Sequence, residues 1–102
     1  MPDRTVSVRC GDLVFRARLE AVVRSSGATP VPADVSAELV VVELINDDRV
    51  QVCADLVSRG ARVLAFGPHV EARRLRAARA AGATVVTNAE VQARLGQMLA
   101  AS

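Results

Sequence analysis

The sequence predicts an α/β fold with a parallel sheet, and three observations carry that prediction. Short β-branched runs alternate with longer segments of helical spacing. The clearest run, ELVVVELI at 38–45, is nearly all apolar, as suits a strand covered on both faces. Glycines stand just past three of the helical segments, at 27, 60 and 82. At 102 residues the chain is expected to form a single domain over 1–102, with a two- or three-layer core and no second domain.

Residues 5–10 (TVSVRC) predict the first strand. Asp12 then stands as the N-cap of a helix through 13–26, with Leu19, Val22 and Val23 on one face and Phe15 one turn earlier. Gly27 closes it. Residues 29–32 (TPVP) predict a second strand, whose two prolines suit an edge. Residues 38–45 form the third. Asp48 followed by Gln51 has capping-box spacing and opens a helix at 49–59, ended by Gly60. Residues 62–66 predict the fourth strand, 70–81 a helix stopped by Gly82, and 83–87 the fifth strand. Asn88 is expected to cap a last helix to about residue 100, with Val91, Leu95 and Leu99 on one face.

One connection is irregular. Only residues 33–37 separate the second and third strands. A parallel crossover takes about a dozen residues or more, usually as a helix, whereas five extended residues reach roughly 17 Å. The helix expected between these strands is therefore shortened or absent.

Composition removes several mechanisms. All 13 basic residues are arginine. Without lysine there is no Schiff-base chemistry, no P-loop phosphate grip and no lysine-coupled phosphorylation switch. A lone histidine, His69, makes a catalytic triad or a three-histidine metal site untenable, and no metal ligand set is expected. No G-x-G-x-x-G or Walker pattern is present, so no cofactor is expected. A net charge of +2 with neither Trp nor Tyr argues against nucleic acid. The longest apolar runs, 39–42 and 63–66, fall far below the roughly 20 residues of a membrane span. The opening MPDRT has no apolar leader, which predicts a cytoplasmic protein. In that compartment Cys10 and Cys53 are expected as free thiols, Cys53 in the core.

The succession of elements resembles the receiver domains of bacterial response regulators, over nearly the whole chain. The stretch from Asp12 to Gly27 matches a receiver's first helix, and ELVVVEL at 38–44 looks like the strand that carries the phosphoacceptor. AARAAGA at 77–83 is similar to the end of a receiver's fourth helix. The segment FGPHV at 66–70 resembles divergent stand-alone members. The resemblance implies a flavodoxin-like (CheY-like) three-layer sandwich with a five-stranded parallel sheet in the order 2-1-3-4-5.

Receiver chemistry needs acidic metal ligands after strand one, an acceptor aspartate ending strand three, a hydroxyl after strand four and a lysine after strand five. By the resemblance these places fall on Cys10 and Gly11, with Asp12 adjacent, then on Glu43, near Gly67, and near Asn88 or Ala89. Each is replaced, and without the clamps that hold a phosphoryl transition state the chain reads as a pseudo-receiver rather than an enzyme.

Candidate residues carry paired readings. Glu43 is either a permanent mimic of the charged state or a polar strand end bonded to a neighbouring amide. His69, with Asp12, Glu43, Asp47 and Asn88, belongs to the rim beyond the strand carboxyl ends, where open α/β sheets bind ligands. It is a ligand or base there, or simply a loop residue. Cys10 is either a thiol activated by the first helix N-terminus or a small buried residue. Arg73, Arg74, Arg76 and Arg79 form either a partner surface or a solvated face. In receivers the face of helix four, strand five and helix five often mediates dimerisation, which here implies 70–81, 83–87 and 91–99, including Val91 and Leu95. The leading expectation is thus a phosphorylation-independent interaction module of unknown protein partner, with a homodimer expected. The alternatives are a small-ligand-binding domain or minor enzyme at the rim, and an anti-sigma-factor-antagonist-like module. The last lacks a phosphorylatable serine at a helix head, since Ser58 lies at the wrong end of one.

Overall fold

The computed structural model describes residues 4–101; residues 1–3, on which the leader argument rested, and residue 102 lie outside the described residues. The elements run β1 (Thr5–Arg9), α1 (Leu13–Ser25), β2 (Thr29–Pro30), β3 (Leu39–Glu43), α2 (Asp48–Ser58), β4 (Arg62–Gly67), α3 (Ala72–Ala80), β5 (Thr84–Thr87) and α4 (Val91–Ala101). The strands form one all-parallel sheet in the order β2-β1-β3-β4-β5. The predicted order, the proline-bearing edge strand and the missing helix are all present.

Period-two alternation splits the strand side chains between two cores. Val6, Val8, Leu39, Val41, Leu64, Phe66 and Val86 face α1 and α4, meeting Leu19, Val23, Val91, Leu95 and Leu99. Val40, Val42, Val63, Ala65 and Val85 face α2 and α3, meeting Cys53, Leu75 and Ala78. The Arg4 guanidinium donates to the carbonyl of Leu99 and, at 2.7 Å, to that of Ser26, tying the start of the sheet to the ends of both helices on its face.

The helix ends follow the predicted glycines but not all the predicted caps. Asp12 Oδ1 accepts from the Phe15 N–H at 2.9 Å, a working N-cap. Gly82 has φ +103°, and a Cβ there would lie 2.9 Å from Val57 Cγ1, so the turn between α3 and β5 demands glycine on two counts. The Asp48–Gln51 capping box does not form. Asp48 is already the first helical residue, Asn46 Oδ1 accepts from the Arg49 N–H at 3.3 Å, and Gln51 donates instead to Asp55 at 2.9 Å, one turn on. Nor does the Asn88 side chain cap α4. Glu90 Oε1 reaches back to the Thr87 N–H and hydroxyl, both at 2.9 Å, because strand pairing runs on through Asn88 N–H to the Gly67 carbonyl.

Between β2 and β3 the chain turns once, with the Val35 N–H on the Pro32 carbonyl at 3.1 Å, and re-enters the sheet where the Glu38 N–H meets Thr5 Oγ1 at 3.1 Å. The face of β1 beneath it carries Ser7 and Arg9, not apolar residues. Ser7 is nonetheless 1% exposed. Val91 and Leu95, expected on a partner face, are fully buried; the apolar stripe of α4 is spent on the core, as a helix on an open sheet requires.

Leu95→Ala is expected to cost about 2–5 kcal/mol of unfolding free energy through cavity formation. The exposed Arg73→Ala change is expected to stay within about 0.5 kcal/mol. Urea denaturation of the two variants beside the parent chain checks both.

Candidate functional site

Each parallel strand delivers its last residues to the same edge of the sheet, so the rim is built from the connections β1–α1, β3–α2, β4–α3 and β5–α4. Cys10, Gly11, Asp12, Glu43, Asp47, Gly67, His69 and Asn88 lie on or next to these connections. Most of them are engaged with one another or with the backbone.

Glu43 ends β3 next to the central pairing with β4, opposite Phe66. Its Oε1 accepts the Gly11 N–H at 3.0 Å. A carboxylate at a strand end thus closes the first turn of the β1–α1 connection, the amide-bonded reading of this residue. A Cβ on Gly11 would lie 3.7 Å from that oxygen, so the contact tolerates a side chain and does not by itself select glycine. Cys10 is nearly buried and its thiol donates to the Asp12 carbonyl at 3.6 Å. Burial, and after it the Glu43 carboxylate, push the thiol pKa up. Desolvation and the neighbouring Glu43 charge both favour the protonated thiol. Cys53, wholly buried on α2, is pushed up to about 11 by desolvation. Both cysteines are free.

Asp12 is committed to capping α1. Asp47 binds Arg74, whose Nε lies 3.1 Å from Asp47 Oδ1, while Arg74 Nη1 donates to the Leu44 carbonyl at 3.2 Å and lies 3.8 Å from Glu71. This corrects the expectation that Arg74 belongs to a free cationic face. Its half-buried guanidinium straps α3 to the β3–α2 connection. Arg79 donates to the Val85 carbonyl at 3.3 Å. Arg73 and Arg76 remain exposed, and among the described residues neither makes an ion pair or a hydrogen bond. His69 is exposed after Pro68, with no hydrogen bond or ion pair among the described residues. Gly67 is buried, and a Cβ on it would sit 3.5 Å from Leu75 Cδ2. Glu90, in the β5–α4 connection, has its pKa lowered by the Thr87 N–H and hydroxyl.

One depression lies at this edge, and a second runs from it toward the amino ends of β3 and β4. A pocket of ≈ 280 Å³ at the rim is lined by Arg9, Cys10, Gly11, Ala33, Glu43, Ile45 and Arg49. A larger groove of ≈ 460 Å³ lies where the missing helix would pack; Arg9, Asp34, Glu38, Val40, Leu56 and Arg59 are among its lining residues. Arg9, Arg49 and Arg59 were not singled out from sequence. Their signal was present in two places. Arg9 ends β1 on the same face as Ser7, and Arg49 and Arg59 stand ten residues apart at the two ends of α2, close to three helical turns.

The sheet order, the two helical layers and the rim define a flavodoxin-like, CheY-like receiver fold. Solved structures that share it include the following three. A response regulator from Thermotoga maritima has a TM-score of 0.79 at 12% identity, covering 98% of this chain and 97% of its own. A CheY-like protein from Pseudomonas aeruginosa has 0.77 at 19%, covering 97% and 98%. An orphan response regulator of H. pylori has 0.77 at 13%, with the same coverage. Comparison with protein-family models returns no match, and comparison with curated protein sequences returns none either. No described helix is long and apolar enough to cross a membrane.

The Glu90 contribution to stability is fully present above the ordinary glutamate value of 4.5 and is lost as pH falls through its lower folded value. Glu90→Gln is therefore expected to narrow its stability gap to the parent chain as pH drops below 4.5, measured by urea midpoints across an acid series. At neutral pH both thiols are expected to react with an aromatic disulfide reagent at least about tenfold more slowly than in urea, because burial holds them protonated.

Proposed function

We propose that the chain is a pseudo-receiver: a CheY-like signalling module that takes no phosphoryl group and acts through protein contacts. The observation that carries this reading is the Glu43–Gly11 contact. At the place that corresponds to the acceptor of a receiver, a glutamate oxygen is held by a backbone amide at 3.0 Å. The turn that supplies this amide carries Cys10 and Gly11 where a receiver has acidic metal ligands. Among the described residues no three His, Cys, Asp or Glu side chains gather as a metal site. The chain contains no lysine to clamp a phosphoryl oxygen. Positioning and charge stabilisation are nearly all that phosphoryl transfer asks of a protein, and these residues supply neither.

The contact surface fits the rim. Leu13, Val14, Ile45 and Val70 are 74%, 66%, 53% and 74% exposed, and all stand on or next to the connections leaving the strand carboxyl ends. Asp12, Asp48 and Glu71 share those connections, while the adjoining α3 exposes Arg73 and Arg76. An acidic apolar edge beside a cationic helix is self-complementary in a two-fold pair. The occupant is therefore a second copy of the chain.

Incubation with acetyl phosphate and magnesium, read by intact mass, is expected to give no phosphoryl adduct; a stable adduct at Glu43 or Asp47 overturns the pseudo-receiver reading. Sedimentation is expected to show a concentration-dependent dimer that Leu13→Ser and Val70→Ser weaken about tenfold or more, as the loss of exposed apolar anchors implies. A monomer at every concentration overturns the self-association.

A further inference from the structure

We propose that the groove left by the missing helix is a binding site for a small molecule bearing a carboxylate or phosphate group, held by Arg9 and Arg59, with Arg49 in the adjoining rim pocket. The groove and the rim pocket share Arg9 and Ala33 as a common wall. Arg49, in the first turn of α2, lines the rim pocket, and Arg59, the C-cap of α2, lines the groove together with Leu56, Val40 and Val35.

Arg9 is the centre of the argument. It points from β1 toward the α2 side of the sheet, opposite to Val6 and Val8. Its guanidinium carries five donors and stays charged at any ordinary pH. In the described residues it makes one hydrogen bond, from Nη2 to the Ala33 carbonyl at 3.1 Å, and its buried Nε has no partner. Ser7, two residues earlier on the same face, also buries an unpartnered hydroxyl. Arg49 and Arg59 make no ion pair among the described residues. Unpaired buried donors are costly and rare, and a forked cation is suited to bidentate recognition of a carboxylate or phosphate.

The acidic groups of the lining narrow the ligand. Glu43 is occupied by the Gly11 amide. Asp34 and Glu38, on the connecting segment, make no ion pair with the three arginines, so they offer acceptors to a hydroxyl or amino group of the same ligand. A peptide helix does not fit. Ser7 is already closed off at 1% exposure, and ≈ 460 Å³ is the size of a small-molecule site, whereas a helix with side chains is about 10–12 Å across.

Amide chemical-shift titration of the full chain with inorganic phosphate, and separately with succinate, tests the site. Saturable shifts are expected at Arg9, Ala33, Ala37 and Gly60 with at least one probe, and the tighter probe assigns the anion class. Arg9→Gln, and independently the exposed Arg59→Gln, are expected to weaken binding about tenfold or more, as loss of a charge-assisted hydrogen bond does. Arg73→Gln, remote from the groove, is expected to leave it unchanged. If Arg9→Gln loses the native amide pattern, Arg59→Gln alone decides. No saturable shift with either probe, shifts confined to the rim beside Asn88 and His69, or binding unaffected by Arg59→Gln overturns the proposal.

Discussion

The structure depends on β3 being buried on both faces and at both edges. Its residues pair with β1 on one side and β4 on the other. Leu39 and Val41 enter one core, Val40 and Val42 the other. A strand in that position has no solvated side on which to place a polar residue until it ends. It ends at Glu43, and the first carboxylate the chain can place there meets the first free amide of the next turn, that of Gly11. The rim's central polar contact is thus a consequence of where the central strand emerges from its neighbours.

The missing helix has effects that spread from β1. In a sheet covered on both faces, β1 would carry apolar residues on its second face as well. Here that face carries Ser7 and Arg9, and a single turn takes the place of a helical layer. Loss of the helix removes apolar cover, the strand turns polar beneath it, and the space not refilled remains as a groove beside α2. The sheet tolerates this because β2 is an edge strand of two residues, and an edge needs less cover than a centre. Arg74 shows the same economy on the other side of α2: one guanidinium joins α3 to the β3–α2 connection through Asp47, Glu71 and the Leu44 carbonyl.

Much of the fold was legible in the sequence. Valine-rich runs marked β1, β3, β4 and β5. The positive-φ turns at Gly27, Gly60 and Gly82 marked helix ends, and the five-residue gap marked the missing helix. The errors fell where short-range spacing competed with tertiary pairing. Gln51 lies three residues beyond Asp48, but the helix starts at Asp48, so Gln51 bonds to Asp55 within the helix. Asn88 has the composition of a cap, but its backbone is drawn into pairing with Gly67, leaving Glu90 to reach back. The rim was legible as a set of positions and not as a set of partners. That Asp47 would bind an arginine 27 residues away, or that Cys10 would sit beside Glu43, follows from strand adjacency, which no local pattern contains.

The sequence by itself determined the alternation of strands and helices, the edge position of the proline-bearing strand and the lack of lysine, because these depend on residue type and period alone. Only the tertiary structure decided which candidates are accessible. Val91 and Leu95 went to the core, Arg74 to a strap, and Cys10 to a site that raises its thiol pKa. It also placed Arg9 and Arg59 along one groove, with Arg49 in the rim pocket that shares its wall. The physical reason is that burial and pairing are properties of neighbours. In a parallel sheet, the neighbours of a strand end come from crossovers distant in the chain.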